Sequence, residues 1–117
     1  MTAPSIQGWT VLSLAGEIDI ARLQELEELI AFNCNGDCSN TVVDLSDVEF
    51  MDSTGIAWLL RSHALFVDRE RRFTVVVPES LDRIFELTGL GDAFDIHRSV
   101  EAATRNVSSP MEQRRRG

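Results

Sequence analysis

Residues 41–67, TVVDLSDVEFMDSTGIAWLLRSHALFV, decide how the rest of the chain is read. Val42-Val43-Asp44-Leu45 is short, apolar and β-branched, which marks a buried strand. Asp47-Val48-Glu49-Phe50-Met51 reads as a partly apolar connection. Asp52-Ser53-Thr54-Gly55 then opens a long segment whose apolar residues Ile56, Leu59, Leu60, Ala64 and Val67 recur at helical spacing. Side-chain oxygens just ahead of such a segment accept the unpaired N–H groups of a first helical turn, so this is a helix start. The stretch places the Ser53 hydroxyl at a helix mouth, the Asp52 carboxylate beside it, and Gly55 where a side chain would narrow the approach. A helix N-terminus carries partial positive charge and free donors, which suits a phosphate.

On the N-terminal side, residues 3–6 and 9–15 favour β structure and flank Gln7-Gly8, the pattern of a hairpin. Gly16-Glu17-Ile18-Asp19 ends the second strand. Asp19 caps a helix with Ile20, Leu23, Leu26 and Ile30 on its apolar side. Strand-to-helix connections in an α/β sheet gather at one end, so Glu17 and Asp19 are expected near Ser53. On the C-terminal side, the helix after Ser53 is expected to bury a stripe of Ile56, Leu60, Ala64 and Val67. Trp58 falls outside that stripe and marks either a second covered side or a partner surface. A charged turn, residues 69–72, leads to a strand at Phe73-Thr74-Val75-Val76-Val77, stopped by Pro78. A third helix carries Leu81, Ile84, Phe85 and Thr88 on one side and ends at Gly89. A short strand at residues 93–97 and a helix capped by Ser99 follow. The order implies a single α/β domain over residues 1–106, with a mixed, mainly parallel sheet of four to five strands packed by about four helices. Residues 107–117 turn polar and are expected to be a disordered tail.

The chain has 117 residues and a net charge of −8, an acidity that argues against nucleic acid and anionic membranes as partners and favours a basic protein. No apolar run is long enough for a membrane span, and no signal-peptide pattern opens the sequence, so a cytoplasmic location is expected. Cys34 and Cys38 read as incidental thiols in a polar loop or, more pointedly, as a redox pair. With His63 and His97 far from them in sequence, no metal site is expected.

Three segments carry a resemblance. They are Leu14-Ala15-Gly16-Glu17-Ile18-Asp19, Val43-Asp44-Leu45-Ser46-Asp47-Val48 running into Phe50-Met51-Asp52-Ser53-Thr54-Gly55, and Phe85-Glu86-Leu87-Thr88-Gly89-Leu90. In this order and at these separations they resemble STAS domains of the anti-sigma factor antagonist type, the small bacterial proteins of partner-switching systems. The resemblance implies a switch in transcription regulation, such as a stress response, rather than an enzyme, and no cofactor. It implies that the unmodified protein binds an anti-sigma factor, itself a serine kinase, and so releases a sigma factor. The kinase would phosphorylate Ser53, with Thr54 as the lesser candidate, and a PP2C-type phosphatase would reverse it. Glu17, Asp19, Asp52, Ser53, Thr54, Gly55 and Trp58 would form the partner surface. Two features depart from the family: Trp58 stands where a small residue is usual, and arginine replaces the glycines that usually precede the Phe73 strand.

Two rivals stand beside the switch. An enzyme using Ser53 as nucleophile would need a base stronger than Asp52, and residues 51–55 lack the leading glycine of a nucleophile elbow. A STAS scaffold or transport-associated module that is never phosphorylated would keep the fold and change the role.

Overall fold

The computed structural model describes residues 5–6, 8–34 and 39–104. Five strands form one sheet in the order β1-β2-β3-β4-β5: β1 (Ser5–Ile6), β2 (Trp9–Ile18), β3 (Asn40–Met51), β4 (Phe73–Val76) and β5 (Asp95–His97). β1 runs antiparallel to β2, and every other pairing is parallel. The turn between β1 and β2 holds Gly8 at φ 87°, a left-handed conformation that glycine adopts without steric cost. The helices are α1 (Leu23–Asn33), α2 (Ser53–Asp68), α3 (Asp82–Leu87), α4 (Leu90–Ala93) and α5 (Val100–Thr104). The expected α/β fold with an antiparallel start is the one observed. The tail and Cys38 lie outside the described residues.

Each crossover joins neighbouring strands, and α1, α2 and α3 share one main core. Leu12, Leu14, Val43, Leu45, Val75 and Val77 present their side chains to Leu26, Ile30, Leu59, Phe66 and Phe85. The opposite face carries Trp9, Val42 and Val76, covered by Ala103 and Val100 of α5. Arg72 lies over the Trp9 ring, 5.6 Å from its centroid, and ties to Asp95 of the edge strand. Burying apolar area at about 25 cal/mol per Å² is what holds these layers together.

β3 is longer than its apolar run suggests. Ser13 and Ala15 of β2 pair with Asp44 and Asp47, and Gly16 and Glu17 pair with Val48 and Phe50. β3 therefore carries an extra residue in each interval, and two bulges bend it. Core-facing residues fall at Leu45, Val48 and Met51 instead of alternating. That is why residues 47–51, expected as a connection, continue the strand to the threshold of α2.

The third helix is also subdivided. A 3-10 turn at Glu79–Leu81 precedes α3, Gly89 sits at φ 73°, and Leu90, buried, begins the separate helix α4. Thr88, expected on the apolar side, is exposed, because its hydroxyl turns back to the Ile84 carbonyl. Ser99 caps α5 as expected, its hydroxyl accepting from Ala102 N at 3.1 Å.

α2 ends in a Schellman motif: Arg71 N donates to Phe66 O and Glu70 N to Val67 O. The motif needs a left-handed residue, and here it is Glu70, at φ 59°. The unusual sequence ahead of β4 thus keeps the glycine-type geometry with a residue that resists it. Glu70→Gly is expected to stabilise the fold by about 0.5–1 kcal/mol, the left-handed cost of a side chain less glycine's extra unfolded-state entropy. Urea unfolding of the two proteins checks this.

Arg98 joins the end of β5 to α3, donating to Val77 O and to Asp82 Oδ2, each at 2.8 Å. The hydrogen bond from the Arg98 guanidinium, with its charge, holds the Asp82 carboxyl below its ordinary value of 3.8. A carboxyl lowered in the folded state stabilises the fold above that ordinary value and loses its contribution as pH falls beneath it. Unfolding free energies measured through the acid limb should therefore fall less steeply in Asp82→Asn than in the parent.

Candidate functional site

The site is built where β2 and β3 end together. Ile18 pairs with Met51 and Glu17 with Phe50, and Asp52 N donates to Ile18 O at 3.2 Å. Glu17 and Asp19 are thus brought to the same sheet end as Asp52 and Ser53, as the connection rule anticipates. Asp19 accepts from Ala21 N at 3.1 Å and caps the 3-10 turn Ile20–Arg22 that leads into α1. Arg22 then reaches back. Its Nη1 donates to Ala15 O at 2.7 Å and Glu17 O at 3.0 Å, and the same guanidinium pairs with Glu25. Nothing in the sequence marked this clamp, because its acceptors are main-chain carbonyls.

The helix cap belongs to Asp52. Its Oδ1 accepts from Thr54 N at 2.9 Å and Gly55 N at 3.4 Å, and its carbonyl accepts from Ile56 N. Ser53 is the first residue of α2 and exposed, and its hydroxyl has no hydrogen-bond partner among the described residues. Of the side-chain oxygens at this helix start, the Asp52 carboxylate takes the capping work, and the Ser53 hydroxyl faces solvent. Thr54 is half-buried beside it.

Gly55 also differs from expectation. A Cβ at this position would lie 2.7 Å from Ile18 Cγ2 and 2.8 Å from Met51 Cγ. The glycine is buried and lets the first turn of α2 rest against the ends of β2 and β3. Its role is close packing, not an open approach to the hydroxyl.

The faces of α2 depart furthest from the sequence reading. Gly55, Ile56, Trp58, Leu59, Ser62 and Phe66 are buried, whereas Leu60, Ala64 and Val67, assigned to the core stripe, face outward. Trp58 is 1 % exposed and packed in the main core, so its ring is not part of a surface a partner could reach. Its Nε1 finds no hydrogen-bond acceptor among the described residues. Other apolar groups do reach the surface. Ile20 is 73 % exposed on the 3-10 turn, Phe50 51 % at the end of β3, and Leu87 73 % on α3. Phe50, Ile84 and Leu87, with Glu49 and Arg83, are among the residues lining a groove of about 340 Å³.

A nucleophilic serine would need a base. No histidine hydrogen-bonds Ser53 among the described residues: His63 packs edge-on against Phe94 and Phe73, and His97 Nε2 lies 3.1 Å from Asp95 Oδ1. No group of three or more acidic, histidine or cysteine side chains suited to a metal occurs among the described residues. Cys34 is buried at the end of α1 and disulfide-bonded; the chain's other cysteine is Cys38. Its carbonyl accepts from Arg69 Nη1 at 3.2 Å, which links the ends of α1 and α2 well away from Ser53.

The STAS domain model matches residues 1–103 of this chain. The chain belongs to the STAS domain family. An anti-sigma-B factor antagonist of Staphylococcus aureus is 29% identical over 91 residues, covering 77% of this chain and 84% of that protein. The crystal structure of an anti-sigma factor antagonist from Mycobacterium paratuberculosis superposes with a TM-score of 0.82 at 30% identity, covering 91% of each chain. The phosphorylated form of SpoIIAA, a Bacillus cell fate determinant, shares the fold with a TM-score of 0.65 at 22% identity, over 86% of this chain and 92% of that one. These relatives belong to a class of regulatory binding proteins rather than enzymes. Among the described residues no helix is long and apolar enough to cross a membrane.

The contact at Gly55 gives a direct test of how the STAS motif is held. Gly55→Ala forces its methyl into Ile18 and Met51 and should cost about 1–3 kcal/mol, the range for overpacking a filled site. Chemical denaturation measures it, and Ile18→Ala, which removes the Cγ2 in contact, should cost less in the Gly55→Ala chain than in the parent.

Proposed function

We propose that this chain is an anti-sigma factor antagonist that binds an anti-sigma factor through the surface around Ser53, and that phosphorylation of Ser53 switches the binding off. In this reading the anti-sigma factor is the serine kinase, its capture releases a sigma factor, and a PP2C-type phosphatase restores the binding form. The observation that carries it is the outward Ser53 hydroxyl, released from capping by Asp52. The likeness to anti-sigma factor antagonists supports the partner class, and the phosphorylated state of the SpoIIAA fold supports the modification.

The electrostatics supply a mechanism. A phosphate brings about −1.5 to −2 charges and three acceptor oxygens. A helix N-terminus would ordinarily hold it, but the Thr54 and Gly55 N–H groups already serve the Asp52 carboxylate. The phosphate therefore meets a like charge at the helix mouth, with Glu17 and Asp19 at the same sheet end. It is left on the surface for a partner to desolvate. Ile20 and Phe50, at the ends of β2 and β3, add exposed apolar area at the same sheet end that a docked partner would bury. A hundredfold loss of affinity needs only about 2.7 kcal/mol, within the range of one interfacial charge mismatch. The switch thus needs no change of fold.

Incubating the chain with the anti-sigma factor that copurifies from its host and ATP should add one phosphate, located on Ser53 by mass analysis. Ser53→Ala should bind that partner like the parent, and Ser53→Asp about a hundredfold more weakly. Equal affinity of all three would remove the switch and leave only the binding module.

A further inference from the structure

β2 outruns its hairpin partner. β1 pairs only with Trp9 and Thr10, so among the described residues no strand lies along that side of residues 11–18. Backbone carbonyls near an open edge need a donor or water. Arg22 supplies donors at two points of this stretch: its Nη1 donates to Ala15 O at 2.7 Å and to Glu17 O at 3.0 Å. Nε and Nη2 meet the two Glu25 carboxylate oxygens at 3.3 Å each, so both sides of the planar fork are engaged.

The two carbonyls straddle Gly16, which sits at φ 80° among the register shifts that end β2. Peptide units are planar, so gripping the units on either side of residues 16 and 17 fixes the dihedrals between them. Glycine has the most freedom to lose there, and the grip matters most at such a point. The direction in which the Glu17 side chain leaves the strand follows from those dihedrals. The turn that aims Arg22 is itself held, since Asp19 accepts from Ala21 N and Arg22 N donates to Asp19 O at 3.0 Å.

The acids at this sheet end are not equivalent. Asp19 and Asp52 serve as helix caps, and Glu25 is engaged by Arg22. Asp47 and Glu49 are exposed on β3, and Glu49 shares its groove with Arg83. Glu17 is exposed, and its carboxylate makes no hydrogen bond or ion pair among the described residues.

We propose that Arg22 is a positioning residue for the partner surface: by holding the Ala15 and Glu17 carbonyls it sets the direction of the Glu17 carboxylate, which a docking protein meets with a basic side chain. Arg22 acts in this way only if the surface around Ser53 is the one a partner uses. Without the fork, Gly16 and Glu17 sample other conformations, and docking must order them again at a cost in affinity. The fold around them is unchanged, because Ile18 still pairs with Met51 and lies in the main core.

Affinity of the full chain for the anti-sigma factor that copurifies from its host tests this role. Arg22→Ala and Glu17→Gln should each weaken binding about tenfold. Because Arg22 works through Glu17, the double variant should lose about twentyfold at most, short of the roughly hundredfold that independent residues would give. Arg22→Lys keeps the charge but not the fork, and it too should bind more weakly than the parent. Urea midpoints read in parallel establish that each variant is folded under the binding conditions. Losses that multiply to about a hundredfold, or parent-like affinity in Arg22→Ala or Arg22→Lys, overturn the proposal. Ser53→Asp measured beside them separates this role from the switch. A loss there with parent-like Arg22→Ala removes only the positioning role, whereas a parent chain that binds no anti-sigma factor removes the surface on which it rests.

Discussion

The structure depends on how closely the first turn of α2 approaches the ends of β2 and β3. Three short-range features set that approach. The Asp52 N–H bonds to the Ile18 carbonyl, Gly55 presents no side chain to Ile18 and Met51, and the Asp52 carboxylate gathers the Thr54 and Gly55 N–H groups. Each constrains the others. A carboxylate already capping the helix leaves the neighbouring hydroxyl without an internal task. A helix pressed onto the sheet leaves that hydroxyl nowhere to turn but outward. The exposure of Ser53 is thus a consequence of packing beneath it, and the chemistry above it follows.

Much of this was legible in the residues. The hairpin at Gly8, the caps at Asp19, Asp52 and Ser99, and the stop at Gly89 are local features. Each depends on a side chain bonding or relieving backbone within a few residues, which sequence exposes. The gathering of Glu17, Asp19 and Ser53 at one sheet end followed from the alternation of strands and helices. What escaped was set by partners distant in sequence. The bulges in β3 exist to keep Val48 and Met51 in the core as the strand bends, and no period-two pattern announces them. The Arg22 clamp reaches carbonyls, which every residue possesses.

The misplaced face of α2 is the most instructive case. Leu59-Leu60, Ala64-Leu65 and Phe66-Val67 are adjacent apolar pairs, so two stripes about 100° apart fit the helical period equally well. The choice between them was made by the sheet and by α1. Trp58 is enclosed in the shared core, and Arg61 meets Glu27 of α1 at 3.0 Å. That choice turned Leu60, Ala64 and Val67 to solvent and hid the tryptophan. The partner surface proposed above therefore draws on the exposed Ile20 and Phe50 at the ends of β2 and β3, not on Trp58.

The measurement that bears most directly on this account is a comparison of backbone amide shifts in the unmodified chain and the chain phosphorylated at Ser53. If Asp52 holds the helix mouth and the phosphate acts by charge alone, changes will be confined to the first turn of α2 and the adjoining ends of β2 and β3. The Phe66 and Trp58 signals will then stay where they were. Displacement of amides along the whole of α2, or loss of the Thr54 and Gly55 bonds to Asp52, would contradict it and show a helix that moves when the serine is modified.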